Sequence, residues 1–159
     1  MSICMFMKVD GASGESKDAS HSGWTDIDSF SWGATQPGTM ASGGGGGAAK
    51  VSFNDLTVVA KVDRATPAIL KNCSSGKHLG KVEISTCKAG GDQIEFSRIT
   101  LTDVMVTAVQ FSGTEDNQVL VNYSFQASQV RQQYWEQLES GGRGPEVQMG
   151  WDVKQNVEM

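Results

Sequence analysis

Alternation of apolar and polar positions is the dominant signal along this chain. In Val147–Val157 the odd positions hold Val147, Met149, Trp151, Val153 and Val157, broken by Gln155, and the even ones are Gln148, Gly150, Asp152, Lys154 and Asn156. Val119–Ala127 repeats the pattern, with Val119, Val121, Tyr123, Phe125 and Ala127 set against Leu120, Asn122, Ser124 and Gln126. Period two over that length predicts half-buried antiparallel strands. In Lys81–Lys88, Val82 and Ile84 share one face. Ile94–Phe111 is longer and shifts phase: Ile94 and Phe96 have one parity, Ile99 and Leu101 the other, and Val104, Val106 and Ala108 return to the first. A phase shift signals a bulge, a bend or burial on both faces. We read a strand that crosses from one sheet to another, as a barrel corner requires. Earlier strands are expected at Met5–Val9, Trp24–Gly33 and Lys50–Lys61, with turns at Asp10–Gly14, Gly90–Asp92, Gly113–Asn117 and Ser140–Pro145.

Asp63–His78 is the one convincing helix among these strands. Thr66 offers an N-cap hydroxyl, and Pro67 suits the first helical position, where its missing N–H is not needed. Ile69, Leu70 and Cys73 then form one apolar stripe. Gly76 supplies the left-handed residue that ends the helix, and Lys77 and His78 sit near its negative end. One short helix with one buried face needs a sheet to lie against. The expectation is a mainly β fold, a β-barrel or sandwich with one short α-helix near residues 66–75 packed outside, forming a single domain over 1–159.

Composition narrows the function. The net charge is −5, and the 13 lysines and arginines are scattered rather than clustered, which argues against nucleic acid. No apolar run approaches the roughly 20 residues of a membrane span, so no membrane insertion is expected. The opening M-S-I-C-M-F-M-K-V-D lacks the basic region, apolar stretch and cleavage site of a Sec signal. Cys4, Cys73 and Cys87 are an odd set without C-x-x-C spacing and read as reduced thiols of a chain folded in the cytoplasm. The single low-complexity segment is Gly43, Gly44, Gly45, Gly46 and Gly47, inside Gln36–Ala49. It reads either as a flexible hairpin loop or as an arm that reaches a neighbour, since loops this long inside compact domains are often functional.

Catalytic motifs are missing: there is no G-x-S-x-G, H-E-x-x-H, P-loop or dinucleotide fingerprint. Asp10, Glu15, Asp18 and His21 imitate a metal or acid–base cluster, but their spacing follows no ligand rule and equally spells a solvated turn. His78 is more simply a helix-end residue, and Asp55 and Asp63 are expected to pair with Lys or Arg across strands. No enzyme activity, cofactor or metal is expected. A second face of small polar residues stands out instead: Ser29 and Ser31 opposite Phe30 and Trp32, and Ser124, Gln126 and Ser128 opposite Tyr123 and Phe125. That face suits plain solvent exposure, or the wall of a water-filled channel made by several subunits.

Eight pieces in order resemble the Hcp family, the tube-forming proteins of the bacterial type VI secretion system. They are Phe6–Asp10 with Gly14-Glu15-Ser16-Lys17-Asp18 and His21; Phe30-Ser31-Trp32-Gly33; Gly43–Gly47; Phe53-Asn54-Asp55-Leu56; Asp63 through Thr66-Pro67; Cys73-Ser74-Ser75-Gly76-Lys77-His78; Lys88-Ala89-Gly90-Gly91; and Gly150-Trp151-Asp152. Arg131–Glu146 matches none of these pieces, and Cys87 stands where a basic residue is common. The resemblance implies a two-sheet β-barrel with one helix alongside, assembled as a six-membered ring around an open channel. It further implies rings stacked into a tube, with spike, baseplate and sheath proteins as partners and effectors sheltered in the lumen. The protein would be made in the cytoplasm and leave through the secretion machine without a Sec signal. On this reading Ser31 and Ser29 face the lumen, because Phe30 and Trp32 claim the opposite face, and the glycine loop contacts neighbouring subunits or the next ring. Two rival readings are a monomeric barrel or sandwich that binds a small ligand or sugar, and a hydrolase using the Asp10, Glu15, Asp18 and His21 cluster.

Overall fold

A computed structural model describes residues 2–38, 40, 50–89, 93–115 and 118–159. In chain order its elements are β1 Ile3–Val9, β2 Thr25–Ser31, β3 Ala34–Thr35, β4 Ser52–Phe53, β5 Leu56–Lys61, α1 Thr66–Ser75, β6 Leu79–Lys88, β7 Ile94–Ser112, β8 Leu120–Gln137, β9 Arg143–Asp152 and β10 Val157–Glu158. Six of the strands close on themselves in the order β8-β5-β2-β1-β6-β7 and back to β8, every pairing antiparallel. Beyond the barrel β8 runs on and pairs with β9, which pairs in turn with β10. The alternating residues of the sequence fill the barrel: Leu56, Val58, Val82, Ile84, Leu101, Val104, Val121, Tyr123 and Phe125 are all buried. Of the barrel or sandwich that the alternation leads one to expect, the fold is the mainly β barrel, with one helix.

Strand bounds depart from expectation where pairing, not pattern, decides them. Lys50–Lys61 is two strands, broken at Asn54, whose N–H turns back to Gly33 O. The short β3–β4 ribbon is thereby set apart from the barrel, as the stem of the long loop. Gly43 to Gly47 and the expected turn at Gly90–Asp92 lie outside the described residues. Each phase shift in β7 has a cause. Thr86 pairs with Ser97 but Cys87 with Glu95, which leaves Phe96 as a bulge. Asp103, with φ at +53°, separates buried Ile99 and Leu101 from buried Val104 and Val106. Thr107 is a second bulge, against β8. Pro145 belongs to β9, and the turn before it is closed by Leu138 N–H on Gly142 O.

Helix α1 lies on the barrel through buried Ile69 and half-buried Cys73, while Leu70 turns outward and is not part of the buried stripe. Gly76 ends the helix at φ +72° with its N–H on Asn72 O, as its place after the last apolar residue requires. The start differs from expectation. Asp63, not Thr66, caps the first turn: its Oδ1 accepts the N–H of Ala65 at 2.9 Å, and its own N–H donates to Thr66 Oγ1 at 3.1 Å. This reciprocal pair is a capping box one turn ahead of Pro67. The Thr66 hydroxyl serves the core instead, lying 2.7 Å from the buried Tyr123 hydroxyl.

Burial pushes the Tyr123 phenol up to about 12. The stability this shift contributes is therefore full below pH 10 and declines as pH rises from 10 toward 12, where an unfolded tyrosine ionises and the folded one does not. The loss approaches about 3 kcal/mol. Urea unfolding at rising alkaline pH checks this: Tyr123→Phe is expected to show a shallower decline than the parent, and equal slopes would refute the assignment. Thr66→Val, which strands the Asp63 N–H and Tyr123 hydroxyl, is expected to cost about 2 kcal/mol at neutral pH.

Candidate functional site

The N-terminal acidic cluster is where chemistry would reside if the chain were an enzyme, and the fold keeps Asp18 and His21 in contact but turns Glu15 to the helix start. Glu15 Oε2 accepts the Arg64 N–H at 2.7 Å, ahead of the helix. Asp18 holds His21 Nδ1 at 2.7 Å, and that bond keeps its carboxyl below the usual range. His21 Nε2 reaches Ser85 Oγ at 3.0 Å, which gives an Asp–His–Ser order. Yet Ser85 is fully buried and its hydroxyl donates to Glu95 Oε2 at 2.6 Å. Phe6 stacks flat on His21 at 4.1 Å and Trp24 meets it edge-on at 4.9 Å. A nucleophile needs open space for a reacting carbonyl, and here aromatic rings occupy it. The network continues from Glu95 to Arg98, which also grips Glu83 and lies over Trp24. Its work is to fasten the outer layer of residues 10–24 onto β1 and β6.

Other expected pairings resolve differently. Asp55 accepts Thr107 Oγ1 and Gln126 Nε2, and Asp63 accepts Thr25 Oγ1, so neither pairs with Lys or Arg among the described residues. Burial raises the Asp63 carboxyl. No group of metal-binding side chains occurs among the described residues. His78 leaves the helix end to bond Asp103 at 2.8 Å, where Ser128 Oγ and Lys154 Nζ also donate. These three, Ser128 foremost, hold the Asp103 carboxyl far below its usual range. That hub joins the helix end, the bend of β7 and the turn after β9. No sequence pattern marks Asp103, because a left-handed aspartate in mid-strand has no periodic signature.

What remains is a surface. One face of the β8–β9 extension starts in the core at Val130 and Trp151 and runs outward through Met149, Tyr134 and Val147. These three are 43%, 46% and 67% exposed. The alternation of Val147–Trp151 is real, but its outer half is left partly open by the described residues. Val157 does not share that face, because the turn after Asp152 pairs it with Asp152 rather than Trp151. Behind the shelf, Trp135 is buried under the Arg143 guanidinium at 4.0 Å. A cleft of about 520 Å³ separates Met149 and Trp151 from Ala34, Val51 and Phe53 of the loop stem, where Phe53 stacks on Trp32. The Trp151 indole N–H has no acceptor among the described residues. The outer edge of β9 is unpaired from Arg143 to Met149 among the described residues, since β10 reaches only Asp152 and Trp151 and Met159 bonds Gly150. On β2 Ser29 and Ser31 are exposed, and half-buried Phe30 and Trp32 alternate with them.

Known proteins share this fold. The family described as "Type VI secretion system effector, Hcp" matches residues 6–134. The chain is 38% identical to Protein hcp1 of Pseudomonas aeruginosa over 99% of both chains. Its fold superposes on the crystal structure of Hcp1 from Salmonella typhimurium with a TM-score of 0.84 and 33% identity, over the whole of both chains. A structure of a type six secretion system protein gives a TM-score of 0.92 at 26% identity, covering 99% of this chain and 100% of that one. The motif positions now have physical roles: a Cβ on Gly150 would come within 3.3 Å of Met159, Trp151 packs on the core, and Asp152 accepts the Gln155 N–H of the closing turn. The chain belongs to the Hcp family, the structural tube proteins of the bacterial type VI secretion system, and is not an enzyme.

Proposed function

We propose that this chain is a brick of the inner tube: six copies close into a ring, rings stack, and the lumen shelters effectors before they leave with the tube through the apparatus. The observation that carries the reading is the shelf of Met149, Tyr134 and Val147, continuous with the core and left partly open by the described residues. A face of this kind on a soluble chain marks a contact with another molecule. The free β9 edge beside it offers main-chain hydrogen bonds that an isolated barrel wastes. A head-to-tail contact between two different faces closes into a ring when its rotation closes. Ser29 and Ser31 form the polar wall turned to the lumen on this reading, and Gly43 to Gly47 reach the adjacent ring. The spike, baseplate and sheath are the further partners.

Light scattering on a sizing column tests the ring. The expected mass is that of six chains. A mass of one chain would refute the ring and favour the monomeric ligand-binding reading.

A further inference from the structure

Cys4 on β1 and Cys87 on β6 are directly opposed in register. In that register the Ala89 N–H donates to Ser2 O and the Asp10 N–H to Lys81 O. Every second pair between them, Cys4–Cys87 included, is therefore a hydrogen-bonded pair, with Cα atoms about 5.5 Å apart. Opposed residues project from the same face, with Cβ atoms about 5.5 Å apart in a hydrogen-bonded pair; the Cα separation lies within the roughly 4.4–6.8 Å that a disulfide spans, and closure draws the Cβ atoms together to about 3.8 Å. The two thiols are unequal. Cys87 is fully buried beside Ser85 Oγ at 3.7 Å, and burial raises its pKa. Cys4 is half-exposed. Cys73, the third cysteine, lies on α1, outside this ladder.

We propose that Cys4 and Cys87 form a latent dithiol site, which a small disulfide oxidant converts into a cross-strand disulfide within the folded chain. The Cys4 thiolate attacks one sulfur of oxidised glutathione, forming a mixed disulfide and releasing one glutathione thiolate. The Cys87 thiolate then attacks the Cys4 sulfur, closing the Cys4–Cys87 bond and releasing the second glutathione. Two protein thiols are oxidised, one disulfide is reduced to two thiols, and the two protons pass to the departing thiolates. The raised pKa of Cys87 makes the closing step faster as pH rises. A reducing cytoplasm keeps the site open and an oxidising exterior closes it. For a chain exported by type VI secretion, the bond would therefore lock β1 to β6 only after departure.

The test holds the purified protein with oxidised glutathione at mildly alkaline pH, quenches in acid and weighs the intact chain. The expected result is a loss of two hydrogens, one Cys4–Cys87 cross-linked peptide after proteolysis, and reversal by dithiothreitol. Cys73→Ser is expected to behave as the parent, whereas Cys87→Ser stops at a single glutathionyl group on Cys4. A parent that keeps a glutathionyl group without closing, a cross-link through Cys73, or an unchanged mass would each overturn the site.

Discussion

Gly14→Ala is expected to lower the unfolding free energy by at least about 3 kcal/mol. A Cβ at this position would stand 2.4 Å from Thr25 Oγ1, 2.5 Å from Trp24 O and 2.7 Å from Trp24 C. Two of these atoms are backbone, so no rotamer change relieves the clash. The approach is close because residues 14–16 run against 23–24: the Gly14 N–H donates to Gly23 O, and the Ser16 N–H to Trp24 O. Forcing the two segments apart displaces Thr25 from Asp63, which caps α1, and Trp24 from His21 and Arg98. One methyl group thus disturbs both the helix start and the buried polar network. For a chain of this size the melting temperature should fall by about 6–12 °C. Gly38→Ala is the control, since none of the described residues lies within 4 Å of its Cβ; it is expected to change stability by less than about 0.5 kcal/mol. A Gly14→Ala protein that melts like that control would show that the outer layer yields at little cost.

The family motifs and the fold are legible in the sequence to different depths. Val121–Ala127 alternates cleanly because one face lies in the barrel and the other in water, and its residues take the expected sides, whereas Val119 precedes the strand and is exposed. The continuation through Gln129, Gln132, Gln133 and Gln137 has no such signature. Gln129, Gln132 and Gln133 are strand only because β7 lies on one side and β9 on the other, and Gln137 because β9 pairs with it. The helix cap is displaced by one turn, because Asp63 and Thr66 both carry capping oxygens three residues apart and local sequence does not rank them. The His21–Ser85 bond joins residues 64 positions apart, so the N-terminal cluster resolves as a structural fastening only in three dimensions. The apolar shelf is visible as a pattern in Val147–Trp151, but periodicity cannot distinguish a face buried by its own chain from one reserved for another.

That distinction makes the shelf the place where a substitution should act on assembly without acting on the fold. The double variant Val147→Glu, Met149→Glu is expected to reduce the six-chain mass to that of one chain. Val147 is 67% exposed and Met149, on the wall of the cleft, 43%, so carboxylates there reach water in the monomer and cost it little. In a ring the same positions lose their water. Each lost apolar contact removes roughly 1.5–3 kcal/mol of burial, and stranding a charge adds several kcal/mol more. Since about 1.4 kcal/mol is a tenfold change in an association constant, two such losses at each contact exceed what a ring at micromolar concentration withstands. Val147→Lys with Met149→Lys should dissociate the ring equally, because desolvation penalises either sign of charge, whereas Met149→Leu should leave it whole. Circular dichroism of the monomeric variants should match the parent, which separates lost assembly from lost folding. A charged variant that keeps the six-chain mass would place the shelf away from the ring contact and transfer its apolar face to the stacking of rings.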